Sequence, residues 1–310
     1  MGIVVIGAVF VDIKGYPEGT YIHNGRNAGR VEQIHGGVGR NVAEDIANLE
    51  LRPTFVSLVD QSGAGIDVIR KLKSHKVNTD YIRATADGMG TWLAVFDDSG
   101  DVIAQISRRP DLRPIADMLD EFGDALFREA ESIIIEIDVD KEIVKRTFKL
   151  AQKYNKPVFA VVANMSIAVE RRDFLQSVDC FVCNIQEAGI LFMEDFEGKT
   201  PGEMVSLISE KVCHAQIPGM IVTMGGEGAV YARQNGEKGC CPARKVEVKD
   251  TTGAGDAFCA GVAVGLTYGK SLAEACDIGA RLAASVIVTS ENVCPRFLPR
   301  ELGLDLDVKD

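Results

Sequence analysis

The amino-acid sequence predicts a doubly wound α/β fold, a mostly parallel sheet with helices on both faces and a small β-sheet lid over the carboxyl ends of its strands. Three observations carry this expectation. Short apolar runs alternate with amphipathic stretches along most of the 310 residues, the pattern of a parallel sheet covered on both sides. Two stretches, 14–35 and 91–107, break that rhythm with little helical periodicity. Hydrophobic residues make up 46% of the chain and charged residues 25%, which excludes a disordered or fibrous protein.

Residues 3–10 (IVVIGAVF) read as a buried first strand. Further core strands are expected at 54–58, 132–137, 158–162, 180–183 and 219–223, each a short apolar run. Between them lie helical stretches near 41–49, 64–75, 115–128, 141–154, 168–176 and 202–214. Residues 91–107, TWLAVFDDSGDVIAQIS, alternate on both sides of an Asp98-Ser99-Gly100 turn and read as a hairpin. A hairpin inside a parallel α/β chain has to pack away from the middle of the main sheet. Residues 14–35 and 90–108 are therefore assigned to a lid over the strand ends, where open sheets bind ligands. Toward the carboxyl end, short strands are expected at 228–232 and 245–248 around the turn Asn235-Gly236-Glu237, then helices over 257–267 and 271–288. With no internal repeat, and no linker long enough to separate independent domains, residues 1–310 read as one domain.

Lysine and arginine total 34 against 45 aspartates and glutamates, a net charge of −11, which opposes binding to a nucleic-acid polymer. An anionic small substrate stays open, because a pocket can be positive on an acidic protein. No stretch approaches 18 apolar residues without charge, and the start MGIVVIGAVFVDIKG lacks a basic prefix and a cleavage site. No membrane association is expected, and a cytoplasmic location follows. The eight cysteines are scattered, so reduced thiols are expected. Cys180 and Cys183 form a CxxC, but on a strand their side chains point to opposite faces, which does not suit a metal. Neither Gly198-Lys199-Thr200 nor Gly269-Lys270-Ser271 has a glycine at the upstream spacing of a P-loop.

The strongest local signal is Asp250-Thr251-Thr252-Gly253-Ala254-Gly255-Asp256-Ala257-Phe258. A strand end, two glycines and a small-residue helix follow one another. The amides of Gly253, Ala254 and Gly255 then point outward as an anion site at a helix N-terminus. Asp256 sits in that first turn, where aspartate is also common for purely structural reasons. The combination of amide nest and carboxylate suits phosphoryl transfer, the amides taking charge and the carboxylate a hydroxyl proton. Gly36-Gly37-Val38-Gly39-Arg40-Asn41 is the second signal: the bare backbone lets a polyol approach, and Asn41 can bond it in both directions. It does not follow the first strand directly, as a dinucleotide fingerprint should. Asp12 is expected at the end of the first strand, either accepting bonds from vicinal hydroxyls or simply solvated. Asn184-Ile185-Gln186-Glu187 reads both as oxygen ligands for magnesium or its waters and as a helix capping box. Thr223-Met224-Gly225-Gly226-Glu227-Gly228 either cradles phosphates or makes a turn.

Together these motifs resemble the ribokinase-like, or PfkB-type, carbohydrate and nucleoside kinases over nearly the whole chain. The resemblance implies a doubly wound core with a β lid, ATP as phosphate donor, magnesium as helper, a monovalent cation in some members, and a homodimer paired through the lids. It implies that Asp256 is the catalytic base and that Gly253, Ala254 and Gly255 form the anion hole. Asp12, Gly37, Arg40 and Asn41 then bind the acceptor. Asn184 and Glu187 organise magnesium, chiefly through water, while Thr223, Gly225 and Gly228 lie along ATP. Within the family, Gly15-Tyr16-Pro17, Asn27-Ala28-Gly29-Arg30-Val31 and GGVGRN look like the pseudouridine kinases, implying transfer to a nucleoside 5′-hydroxyl. Two departures concern the acceptor: the basic Ser107-Arg108-Arg109-Pro110, and Ala163-Asn164 where Asp-Pro is frequent. The alternatives are another nucleoside (uridine, cytidine, inosine or adenosine), a free sugar such as ribose or fructose, and a catalytically silent ligand sensor.

Overall fold

The structure is a computed structural model that describes residues 2–98 and 102–306. Its main sheet is built from β1 (Ile3–Ile6), β4 (Thr54–Val59), β5 (Ile82–Ala84), β8 (Ser132–Glu136), β9 (Val158–Val161), β10 (Cys180–Asn184), β11 (Gly219–Thr223), β12 (Ala229–Arg233) and β13 (Lys238–Cys241). The strand order is β13-β12-β11-β10-β9-β8-β1-β4-β5, parallel except for the hairpin edge β12-β13. A second sheet, β3-β2-β6-β7, is formed by β2 (Phe10–Pro17), β3 (Gly29–Gly36), β6 (Gly90–Phe96) and β7 (Val102–Arg108). The chain runs from β1 first to β4 and later to β8 on its other side, so the sheet reverses its winding at β1 and opens a crevice there.

Helices cover both faces. On one lie α1 (Val38–Asn48), α8 (Ala254–Thr267) and α9 (Leu272–Ile287), packed with Ile3, Val5 and Phe55; on the other α3 (Pro114–Glu129), α4 (Lys141–Tyr154) and α7 (Pro201–Ala215), with Val4, Ile6 and Leu58. Alternate residues of β1 thus feed separate cores, as a period of two requires. Cys180 and Cys183 divide in the same way, and all eight cysteines are free. The helices α8 and α9 approach closely because both are bare where they cross: a Cβ on Gly261 would stand 2.7 Å from the Gly279 Cα.

Four expectations are corrected. The first strand ends at Ile6, and Phe10 already opens the lid strand β2. Between them the backbone turns where Gly7 meets Gly39, and Ala8 gives its amide to the Glu136 carboxylate at 2.9 Å. No strand forms at 245–248; the partner of β12 is β13, because the 235–237 turn closes a hairpin at once, with Gly236 at φ 93°. The helix expected over 168–176 is one turn, α5 (Met165–Ala168), followed by 3-10 turns broken at Arg171. Glu170, Arg171, Arg172 and Asp173 supply no apolar face to hold a longer helix. Both α1 and α8 begin three residues earlier than expected, each behind a glycine with positive φ, Gly37 and Gly253. Ser99 and Gly100 of the hairpin turn lie outside the described residues, and α2 (Gly63–Ser74) and α6 (Ile185–Phe192) complete the helices used below.

Candidate active site

The crevice at β1 gathers side chains from the lid, α1, α8 and the strand ends. At its centre Asn41 Nδ2 donates to Asp256 Oδ2 at 2.6 Å across 215 residues of sequence. The other atom of that amide, Asn41 Oδ1, is buried and accepts no bond, so it offers an acceptor to a hydroxyl beside the carboxylate. Burial pushes the Asp256 carboxyl up to about 7, against the opposing pull of the Asn41 bond and the Arg40 charge. A carboxylate poised near neutrality suits a general base.

The turn before Asp256 is set by sterics. Gly253 sits at φ 80°, and a Cβ there would stand 2.0 Å from the Asn292 carbonyl oxygen. The three-amide nest is corrected in one respect: the Ala254 amide donates to the Thr251 carbonyl at 3.2 Å. The amides of Gly253 and Gly255 have no partner among the described residues and are left for an anion.

On the acceptor side, Asp12 lies inside lid strand β2, opposite Ile34 and Trp92, rather than at the end of β1. Its carboxylate covers Gly36, where a Cβ would stand 2.4 Å from Oδ2. Burial raises its pKa, while Lys14 and Arg40 oppose the rise. Gly37, at φ 97°, passes so close to the Ala8 carbonyl that a side chain is excluded. Arg40 is placed differently from the expectation. It is 1% exposed, paired with Glu44 at 2.5 Å, and it donates to the His35 carbonyl and to Asn292 Oδ1. Its guanidinium braces the site from behind, with Nε buried and without a partner among the described residues.

Two carboxyls were missed in the sequence. Glu136 Oε1 accepts from the amides of Ala8 (2.9 Å) and Gly39 (2.5 Å), tying the β1 exit to the start of α1. Burial, with Asp138 nearby, pushes it up to about 8. Asp138 accepts from the Ala163 amide and from Arg109. The available signal was a pair of acids in the otherwise apolar run SIIIEID.

On the donor side, Asn184 and Glu187 form a complete capping box: Asn184 Oδ1 accepts from the Glu187 amide at 2.8 Å, and Glu187 Oε2 from the Asn184 amide at 2.7 Å. Burial raises the Glu187 carboxyl, the Asn184 amide opposes this, and Asp138 adds to it. Among the described residues no group of three or more acidic, histidine or cysteine side chains could cage a metal. Two partly engaged oxygens fit magnesium that keeps its waters and is carried largely by phosphate. Thr223, Gly225 and Gly228 share one cavity of about 450 Å³ with Ala254 and Gly255. Its apolar walls include Val246, Val248, Phe258 and Ile287. Val246-Glu247-Val248, read as a strand, is instead a wall of this cavity. Gly228 is needed for closeness, since a Cβ would meet the Cys241 carbonyl at 2.1 Å.

A buried carboxylate beside a helix terminus with free amides, and an apolar cavity opening onto the same turn, suit a phosphotransferase of the doubly wound α/β class. The family model described as pfkB family carbohydrate kinase matches residues 2–298, and the chain belongs to that family. It is thus an ATP-dependent kinase for a sugar or nucleoside hydroxyl, in a family that typically uses Mg2+. It is 35% identical to a guanosine-inosine kinase of Exiguobacterium acetylicum over 292 residues, 94% of this chain and 95% of that one. It is 26% identical to a pseudouridine kinase of Escherichia coli (strain K12), over 88% of this chain and 86% of that one. The structure of Arabidopsis thaliana ribokinase complexed with ribose and ATP superposes with a TM-score of 0.82 at 22% identity, covering 98% of this chain and 99% of that one, a likeness of fold. Among the described residues no helix is long and apolar enough to cross a membrane.

Proposed function

We propose that this protein transfers the terminal phosphoryl group of ATP to the 5′-hydroxyl of a purine nucleoside of the guanosine and inosine type. The single observation that carries the chemistry is the Asn41–Asp256 pair with its unspent Asn41 oxygen; the 35% identical relative carries the acceptor. Asp12 and Asn41 hold the ribose hydroxyls, and the bare Gly36-Gly37 backbone lets the sugar approach. Asp256 accepts the proton of the 5′-hydroxyl while the Gly253 and Gly255 amides face the transferring group. Asn184 and Glu187 would hold magnesium through its waters, and the ion would supply charge neutralisation on the phosphates. Thr223, Gly225 and Gly228 follow the donor, and a monovalent cation is an additional requirement to be tested by potassium titration. Residues 1–310 act as one kinase domain, with the lid closing over the acceptor, in the reducing cytoplasm that suits eight free thiols.

Pseudouridine is the second acceptor, supported by the 26% identical relative and by the stretch from Gly15 to Arg30. An ADP-release panel with guanosine, inosine, pseudouridine, uridine, cytidine, adenosine, ribose and fructose decides. Guanosine or inosine should give the highest kcat/KM; a win for ribose or fructose makes the protein a sugar kinase. A second copy of this chain is the partner proposed for the lid. Val31, Leu93 and Ile106 share the face opposite Asp12 and are 74%, 39% and 70% exposed. A two-fold contact covers the same stripe on both copies. Sedimentation of Ile106→Glu should give a smaller species than the parent protein; equal values reject the dimer.

A further inference from the structure

We propose that Arg109, held on Asp138 between the acceptor and donor halves of the cleft, is a further catalytic residue that donates to a non-bridging oxygen of the phosphoryl group in transfer. This rests on the kinase reading above. Arg109 leaves the end of lid strand β7, and its Nη2 donates to both the backbone oxygen and Oδ2 of Asp138, each at 3.0 Å. The Asp138 side chain is fully buried and its Oδ1 accepts from the Ala163 amide at 3.0 Å, so the anchor is fixed through both oxygens. The Arg109 side chain is 35% exposed, and its Nε and Nη1 meet no described protein group. Three of the five guanidinium N–H bonds are therefore open to a ligand.

Sheet order gives the position. Strands β8 and β9 stand between β1, whose exit leads to the acceptor residues, and β10 and β11, whose ends carry Asn184, Glu187 and Thr223. Asp138 follows β8 by two residues, and its charge is felt by Glu136 on one side and by Glu187 on the other. Arg108 does different work: it pairs with Asp87 and donates to the Met89 carbonyl, pinning the end of the lid strand. The other buried cations are already placed: Arg40 is paired with Glu44, and Lys14 lies toward Asp250 and Asp12.

In the transfer, the bond from the 5′-oxygen to phosphorus forms as the bond to the ADP oxygen breaks. The electron pair leaves on that β-phosphate oxygen, and the hydroxyl proton goes to Asp256. Charge is spread over the three equatorial oxygens; with Nη2 spent on Asp138, the free Nη1 N–H bonds of the guanidinium are the donors left to meet one of them with a charge-assisted bond.

The test compares the parent protein with Arg109→Lys and Arg109→Ala, using ATP, Mg2+ and the best acceptor of the panel, with circular dichroism as the check on folding. Arg109→Ala should lose about 100-fold or more in kcat while the acceptor KM stays within about threefold. Millimolar guanidinium should restore some of its rate and leave the parent unchanged. Arg109→Lys, which keeps the charge, should still lose about tenfold because a compact ammonium lacks the rigid plane that holds Asp138 with one nitrogen and presents another to the phosphoryl group. An unchanged kcat in either folded variant, or a loss confined to the acceptor KM without guanidinium rescue, overturns the proposal and leaves Arg109 a tether of the lid. A parent protein that turns over no acceptor overturns the kinase reading, and this proposal with it.

Discussion

The two halves of the cleft are built on opposite principles. The donor half is apolar and local: Thr223, Gly225 and Gly228 fall within one turn, and the walls beside them are aliphatic or aromatic side chains. The acceptor half is polar and assembled from afar, with Asp12 on the lid, Asn41 on α1, Glu136 on β8 and Asp256 on α8. Carboxyls on that side are pushed up by burial, Asp256 to about 7 and Glu136 to about 8. On the proposed function, backbone closeness serves a nucleotide that brings its own charge, whereas discrete side chains serve a neutral hydroxyl that has to lose a proton.

That contrast can be broken most sharply at Asp256. Asp256→Asn keeps the shape and the bond geometry near Asn41 but cannot take the proton, so turnover should fall by about 10²–10⁴-fold, with ATP binding retained. Near-normal turnover in the purified variant removes the base from Asp256. Next in size is Arg40, a residue of the acceptor motif that faces inward. Arg40→Met removes the 2.5 Å partner of Glu44 and leaves it Lys71 at 3.2 Å and His75 at 3.7 Å, and should cost roughly 2 kcal/mol of stability in urea unfolding. A stable variant with a raised acceptor KM would instead return Arg40 to the substrate side.

The pH profile sharpens the comparison. With Asp256 as the proposed base, protonation inactivates it: kcat/KM should reach its plateau about a unit above the value of about 7 and fall by about tenfold per unit below that value. A profile flat down to pH 5 would place the base elsewhere. The smallest effect belongs to the donor side. Glu187→Gln keeps an oxygen for the Asn184 amide but loses charge near the metal, so half-maximal rate should need severalfold more magnesium with the acceptor KM unchanged. An identical titration curve would leave Asn184 and Glu187 as a capping box alone.

The sequence by itself determined the alternation of strands and helices, the lid hairpin and the glycine turn ahead of Asp256. These follow from hydrophobic period and from glycine conformations, which are properties of a few neighbouring residues. Even the divided fates of Cys180 and Cys183 needed only the two-residue period of a strand. Where local pattern was ambiguous it misled: Val246 and Val248 alternate like a strand but wall a cavity, since the edge of the sheet was already closed by β13. Only the tertiary structure turned Arg40 inward onto Glu44 and Asn292. Only it set Glu136 beneath amides 128 and 97 residues away, and brought Arg109 across to Asp138. The physical reason is that a side chain's partner across the crevice is chosen by strand order and by the packing of helices on the sheet, and neither is written in the residues beside it.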